Sequence, residues 1–264
     1  MLTSLLLVLT LLAMSATQAD TALSPEMQRG LDIFQEADAR LSGYGDLAVA
    51  LQMTLRTARG RSSERHLRIS QLEVVDDGDK VMVVFDTPAD IRGTALLSHT
   101  HKIEDDDQWL YLPAIKRVKK ITSRNKTRAF VGSEFSFEDL ALPELEKYNY
   151  RFLREEELDG QLSFVVERIS KNKYSGYTSE VFWFDQEAYR ILRVEYFDHQ
   201  EMPVKVLTVS GYQLFEERFW KANRMYMENL RTGKSTELLW SDYSFGVGLG
   251  ADRDFSVASL RRAR

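Results

Sequence analysis

The chain contains no cysteine. That excludes thiol catalysis, cysteine-ligated metal sites and any disulfide framework, so the core must hold by packing alone. A lipid anchor on an N-terminal cysteine is excluded with them. Positive charge is not in excess: 35 basic side chains face 40 acidic ones, for a net charge of −5. This argues against general nucleic-acid binding, which wants a basic domain. No Gly-x-Ser-x-Gly elbow is present, so a serine nucleophile has no support. The glycines at Gly246, Gly248 and Gly250 follow an apparent strand but open no phosphate-binding helix, and they read as a flexible C-terminal loop.

Long apolar runs are also missing. Residues 1–14 carry no charge, but the stretch from Leu5 to Met14 falls short of the ~20 residues that span a bilayer. Small side chains follow at Thr17 and Ala19. Residues 1–19 therefore read as a secretory signal peptide cleaved near Ala19, leaving 20–264 as one domain. The alternative for the same stretch is an uncleaved membrane anchor.

Only four histidines occur, His66, His99, His101 and His199. The His99-x-His101 spacing puts two rings on one strand face, but a metal wants a third placed ligand. The acids at Glu104–Asp107 fit a solvated hairpin tip better, and no metal or cofactor is expected. Carboxylate runs such as Glu155–Glu157 also read as solvated, and no enzyme chemistry emerges.

What is abundant is alternation. Ser24-Pro25-Glu26 opens one amphipathic helix, with Leu31, Phe34, Ala37 and Leu41 at helical spacing and Gly43 past its end. From Leu47 the period becomes two, and short runs separated by turns continue to Phe245. Hairpin spacing implies an antiparallel meander of about eleven or twelve strands with two or three helices, mainly β in an α+β plan. That many strands curl strongly, into a closed barrel, a sandwich or an open half-barrel. Ile115–Ile121 is read as continuing the strand before Pro113. The segment after Gly132 reads as a short helical flap capped by Ser133, with Phe137 and Leu140 on one face.

Two features stand out from this background. Lys116, Arg117, Lys119, Lys120, Arg124, Lys126 and Arg128 crowd into thirteen residues without an acid. They suit either a protected strand edge or a docking patch for anionic headgroups or an acidic partner. Aromatics are plentiful, including Trp109, Phe135 and Phe137, and suit either a packed core or a lining for acyl chains.

Four phrases carry a resemblance: TPADIRGTALL (87–97), DQWLYLPA (107–114), RVKKI (117–121) and FVGSEFSFEDL (130–140). Together they resemble the LolA-like outer membrane lipoprotein-sorting protein family. The resemblance implies a periplasmic protein with an incomplete β-barrel, helices covering the concave side, and an apolar cavity that binds acyl chains of lipoproteins or another lipid. It also implies a transporter of the resistance-nodulation-division type as partner, and no catalytic residues. On that footing Phe135, Phe137 and Leu140 of the flap, with Trp109 or Leu110 on the sheet, are the expected lipid contacts. Lys116, Arg117, Lys119, Lys120 and Arg124 are the expected docking residues. A lipid-sensing module that transfers nothing is the alternative on the same fold.

Overall fold

The structure is a computed structural model that describes residues 22–263, so the signal peptide expected at 1–19 lies outside the described residues. Helix α1 (Pro25–Leu41) begins where the sequence predicts. The Ser24 side chain accepts from the Met27 N–H, and Pro25 fills the first turn, where no backbone bond is lost. One face of α1 buries Gly30, Ile33, Phe34 and Ala37. Gly30 is there for closeness, because a Cβ would meet the backbone nitrogens of Arg151 and Phe152 at 2.8 Å.

Six strands follow: β1 (Asp46–Arg56), β2 (Ser62–Leu72), β3 (Lys80–Thr87), β4 (Ala95–His99), β5 (Asp107–Leu112) and β6 (Arg117–Ile121). Seven more come after a crossing segment: β7 (Tyr148–Leu158), β8 (Gln161–Ser170), β9 (Ser179–Asp185), β10 (Ile191–Phe197), β11 (Pro203–Phe215), β12 (Phe219–Asn229) and β13 (Ser235–Phe245). All thirteen form one antiparallel sheet in the order β6-β5-β4-β3-β2-β1-β13-β12-β11-β10-β9-β8-β7. The chain starts in the middle of the sheet, meanders out to one edge, jumps to the other, and meanders back until β13 closes on β1. The sheet is therefore open, and its two free edges, β6 and β7, are consecutive in sequence. Residues 122–147 must cross from one edge to the other, which makes the crossing segment a consequence of topology.

Three expectations need correction. The described residues hold thirteen strands, because Pro113–Ile115 forms a one-turn 3-10 helix and Lys116 takes a left-handed φ of 52°. The chain reverses there, so β6 pairs back on β5 instead of continuing it. The flap is not an α-helix. It is built of turns, a 3-10 turn at Phe130–Gly132 and a single bridge between Ala129 and Ser136. The Ser133 hydroxyl donates to the Phe135 carbonyl and caps nothing. Finally, the glycine-rich stretch is no loose tail. The Asp46 carboxylate accepts backbone N–H bonds from Val247, Gly248 and Leu249, and two single-turn helices follow, α2 (Ala251–Asp254) and α3 (Val257–Leu260).

The core divides by face. The main cluster joins Ile33 and Phe34 of α1, Phe130, Phe135 and Phe137 of the crossing segment, and inward residues of strands across the sheet, from Val83 to Phe184. This is the inner face. The outer face carries two smaller clusters: one under α2 and α3, with Phe255 and Leu260, and one around Val165, Val181 and Trp183.

Candidate functional site

The inner face is covered in two places by different means. Over β7 to β9, α1 lays Phe34 against Tyr150, Phe182 and Phe184 at ring separations of 4.5, 5.0 and 4.9 Å. Over β2 to β6, the crossing segment lays Phe130 against Phe85 and Phe137, both at 5.5 Å. Between the two covers the inner residues Tyr212, Met225 and Trp240 are only half-buried. Met225 sits opposite Leu238, two residues along β13 from Trp240, so they form one apolar strip. The Trp240 indole N–H is buried with no hydrogen-bond partner among the described residues.

Polar bonds pin the crossing segment at both ends. Buried Gln108 on β5 donates to the Phe137 carbonyl at 3.0 Å, and Arg65 on β2 donates to the Val131 carbonyl. The Glu134 N–H donates to Thr236 on β13 at 2.9 Å. Glu138 accepts from the Ser175 hydroxyl and from the Gly176 N–H at 2.9 Å. Asp139 accepts from the Tyr177 hydroxyl at 2.8 Å and pairs with Lys205 of β11 at 3.2 Å. Burial pushes the Glu138 carboxyl above the usual carboxylate range, against the opposing pull of the Gly176 and Ser175 bonds.

Beside this latch lies a buried ion pair, Arg168 on β8 with Glu180 on β9, at 2.8 Å. The two are register partners and point inward. Burial pushes Glu180 upward, and the guanidinium beside it restrains the rise. The Arg168 head also lies 4.3 Å from the Tyr148 ring and 4.6 Å from that of Phe182, contacts that offset part of the lost hydration. The sequence analysis passed over this pair. Its signal was legible: Arg168 holds the apolar phase of Phe164 and Val166, and Glu180 that of Phe182 and Phe184.

The expected contact residues divide. Phe135 and Phe137 are buried at 3% and 6% exposure, and Leu110 and Leu140 pack beside them on the inner face. Trp109 points the other way, into the outer cluster with Phe255, its ring 5.1 Å from that of His99. The basic run divides too. Lys116, Arg117 and Lys119 are exposed, Lys120 pairs with Asp107 at 2.6 Å, Arg124 lies over Tyr174, and Lys126 is buried against Asp106. His99 and His101 have separate partners, the Phe255 carbonyl and Asp77. Among the described residues no group of three His, Asp or Glu is placed to hold a metal.

A cavity of about 420 Å³ opens on the outer face, over Trp183, Val181 and Phe197. Its rim charges are matched within the face, Arg154 to Glu156 at 2.6 Å and Arg193 to Glu195 at 2.5 Å.

Comparison with known proteins fits this architecture. The chain is 47% identical to an outer membrane lipoprotein-sorting protein domain from Vibrio parahaemolyticus, with a TM-score of 0.87 over 89% of this chain and 100% of that one. The chain belongs to the LolA-like outer membrane lipoprotein-sorting protein family. A family model described as "uncharacterized protein" matches residues 77–262. A DUF1329 family protein from Desulfovibrio piger is 28% identical, with a TM-score of 0.84 over 89% of this chain and 99% of that one. A LolA superfamily protein from Nitrosomonas europaea shares the fold at 18% identity, with a TM-score of 0.70 over 87% and 98% of the two chains. No curated protein matches the chain. The LolA-like membership accounts for the open antiparallel sheet and for the four phrases, which fall on the β3–β4 connection, β5, β6 and the crossing segment.

Proposed function

We propose that this LolA-like protein is an extracytoplasmic carrier that shelters acyl chains, of a lipoprotein or another lipid, against the inner face of its sheet. The observation that carries the reading is the half-buried apolar strip of Tyr212, Met225 and Trp240 between α1 and the crossing segment, in a chain nearly half identical to a lipoprotein-sorting domain. An acyl chain gains about 0.8 kcal/mol for each buried CH₂, so transit through water needs an apolar shelter of matching strength. In this reading the crossing segment is the gate. Swinging it away carries Phe135 and Phe137 off the sheet, uncovers Leu110 and Phe85 on its inner face and lengthens the strip. The same reading includes delivery toward the outer membrane, or to an exporter of the resistance-nodulation-division type, from the periplasm.

Native mass spectrometry of residues 20–264, purified without detergent and followed by lipid extraction, tests the proposal. A bound lipid or acylated peptide of defined mass is the expected result. A protein that is empty and takes up no lipid from vesicles would overturn it. The gate has its own test in Phe137→Asp, which should impair lipid uptake. A folded variant with unchanged uptake removes the gate from the mechanism.

A further inference from the structure

The half of the sheet formed by β1 to β6 is electrically polar along its strands. At one end the β2–β3 and β4–β5 turns present Val75 and Ile103, each 89% exposed. Around them stand four acids, Asp76, Asp77, Glu104 and Asp105, against two cations, Lys102 on the Val75 carbonyl and Arg124 next to Ser123, which bonds Asp105. At the other end the β5–β6 turn presents Ile115, 59% exposed, followed by exposed Lys116 and Arg117. The left-handed backbone at Lys116 makes this a tight projecting corner.

Two more segments converge on that corner. A side chain at Gly93, in the β3–β4 connection, would touch both Pro113 and the carbonyl of Ala263 at 3.9 Å. The connection brings exposed Arg92, and the end of the chain brings exposed Arg261 and Arg262. Five exposed cations thus lie on the segments that meet at the corner carrying the exposed Ile115. Acids next to these segments are already engaged: Asp86 with Arg68 at 2.9 Å, and Asp254 with Arg253 at 2.7 Å. The exposed acids are Asp90 of the β3–β4 connection and Asp252 of α2, two against the five cations.

We propose that this corner docks the protein onto an anionic bilayer surface, with Ile115 entering the headgroup region and Lys116, Arg117, Arg92, Arg261 and Arg262 facing lipid phosphates. The chain as a whole carries −5, so its overall charge gives no such attraction. The local asymmetry does, and it sets orientation: the acidic end with Val75 and Ile103 is turned away from the membrane. A basic side chain near an anionic surface contributes about 1 kcal/mol, or roughly fivefold in affinity, and an inserted aliphatic group adds to it. The site is separate from the inner-face strip, so docking and acyl-chain uptake stand or fall independently.

The absence of native cysteine makes the test clean. Ile115→Cys and Ile103→Cys, each labelled with an environment-sensitive fluorophore, are mixed with vesicles of equal parts phosphatidylcholine and phosphatidylglycerol, or of phosphatidylcholine alone. The label at 115 should brighten and shift to the blue with the anionic vesicles, weakly or not at all with the neutral ones, and less as salt is raised. The label at 103 should stay silent. Lys116→Gln with Arg117→Gln should weaken vesicle binding roughly 25-fold, at about fivefold per charge, with an unchanged melting curve and unchanged lipid uptake. An equal response at 103 and 115, or binding blind to lipid charge and to these substitutions, would overturn the proposal. A protein that docks through 115 but takes up no lipid would instead retire the carrier reading and leave the docking corner in place.

Discussion

The two halves of the sheet solve the same burial problem differently. In the half from β1 to β6, both faces are covered by chain that is not regular secondary structure of any length. The crossing segment lies on the inner face, and the turns of α2 and α3 lie on the outer face, with Phe255 and Leu260 at 1% and 0% exposure. In the half from β7 to β13, a seventeen-residue helix covers part of the inner face, and the outer face keeps an open hollow over Trp183. A strand covered on both faces reads as a nearly continuous apolar run, and β3 and β4 do: VMVVF and ALL. A strand with one wet face alternates, as Arg193-Val194-Glu195-Tyr196 of β10 does, whereas VFWF of β9 runs continuous because Val181 and Trp183 are buried in an outer cluster of their own. The lesson is that an all-apolar strand announces a second cover even where the covering segment has no pattern of its own.

The sharpest way to break the comparison is to strip the outer cover. Phe255→Ala with Leu260→Ala should cost about 5 kcal/mol or more, since each fully buried truncation costs about 2–5 kcal/mol. Leu158→Ala, on the open outer face of the other half, should cost about 1 kcal/mol, as for a group already half in water. Urea unfolding of both variants measures the contrast, and equal costs would erase it. Next in size is the buried pair. Arg168→Met alone should cost about 3–5 kcal/mol by stranding Glu180, whereas Arg168→Met with Glu180→Leu should be near neutral or stabilising. A double-mutant cycle separates these. If the double variant is as unstable as the single, the pair is specifying structure in a way apolar packing cannot replace.

How much was legible follows the same division. Helix α1, the hairpins from β7 to β13 and the antiparallel meander were readable because period and turn chemistry are local, whereas the open form of the sheet came only from the family resemblance. The pairing of β1 with β13 was not, since no residue pattern near Leu47 names a partner almost two hundred residues away. The flap was misread because Phe137 and Leu140 fit a helical face equally well, while the actual conformation answers to tertiary bonds from Gln108, Thr236 and Tyr177. The outer cover was misread because glycines at 246, 248 and 250 advertise freedom, and the Asp46 carboxylate that removes it lies two hundred residues earlier. Strand alternation puts Trp109 and Leu110 on opposite faces of β5, but which face is inner only the crossing segment decides.

Smaller effects sharpen the contrast between a helix that covers by packing and a segment that covers by polar latching. Glu138→Ala should cost about 1–3 kcal/mol, the penalty for leaving the Gly176 N–H without its acceptor. Its hydrogen exchange should rise at residues 130–140 and at 175–177, and α1 should be unaffected. Exchange that rises equally in α1 would mean the two covers open together.

Glu138→Gln gives the smallest effect and the most specific one. The amide oxygen still accepts from Gly176, so the latch holds, but the position no longer titrates. In the native protein burial raises the Glu138 pKa above its ordinary 4.5. The folded state therefore keeps a proton that the unfolded state has already lost. Its contribution to stability is fully present below 4.5 and declines as pH rises through the raised value. Glu180 is raised too, partly by the Glu138 charge itself, so removing that charge eases Glu180 as well and shifts the difference in the same direction. Urea midpoints of the native protein and Glu138→Gln, compared from mildly acid to neutral pH, should thus diverge in favour of the variant as pH rises. A flat difference would mean that desolvation and the Gly176 and Ser175 bonds balance, and one that favours the native protein at neutral pH would mean the bonds outweigh desolvation. The latch would then be strongest with Glu138 charged, and acid would loosen it.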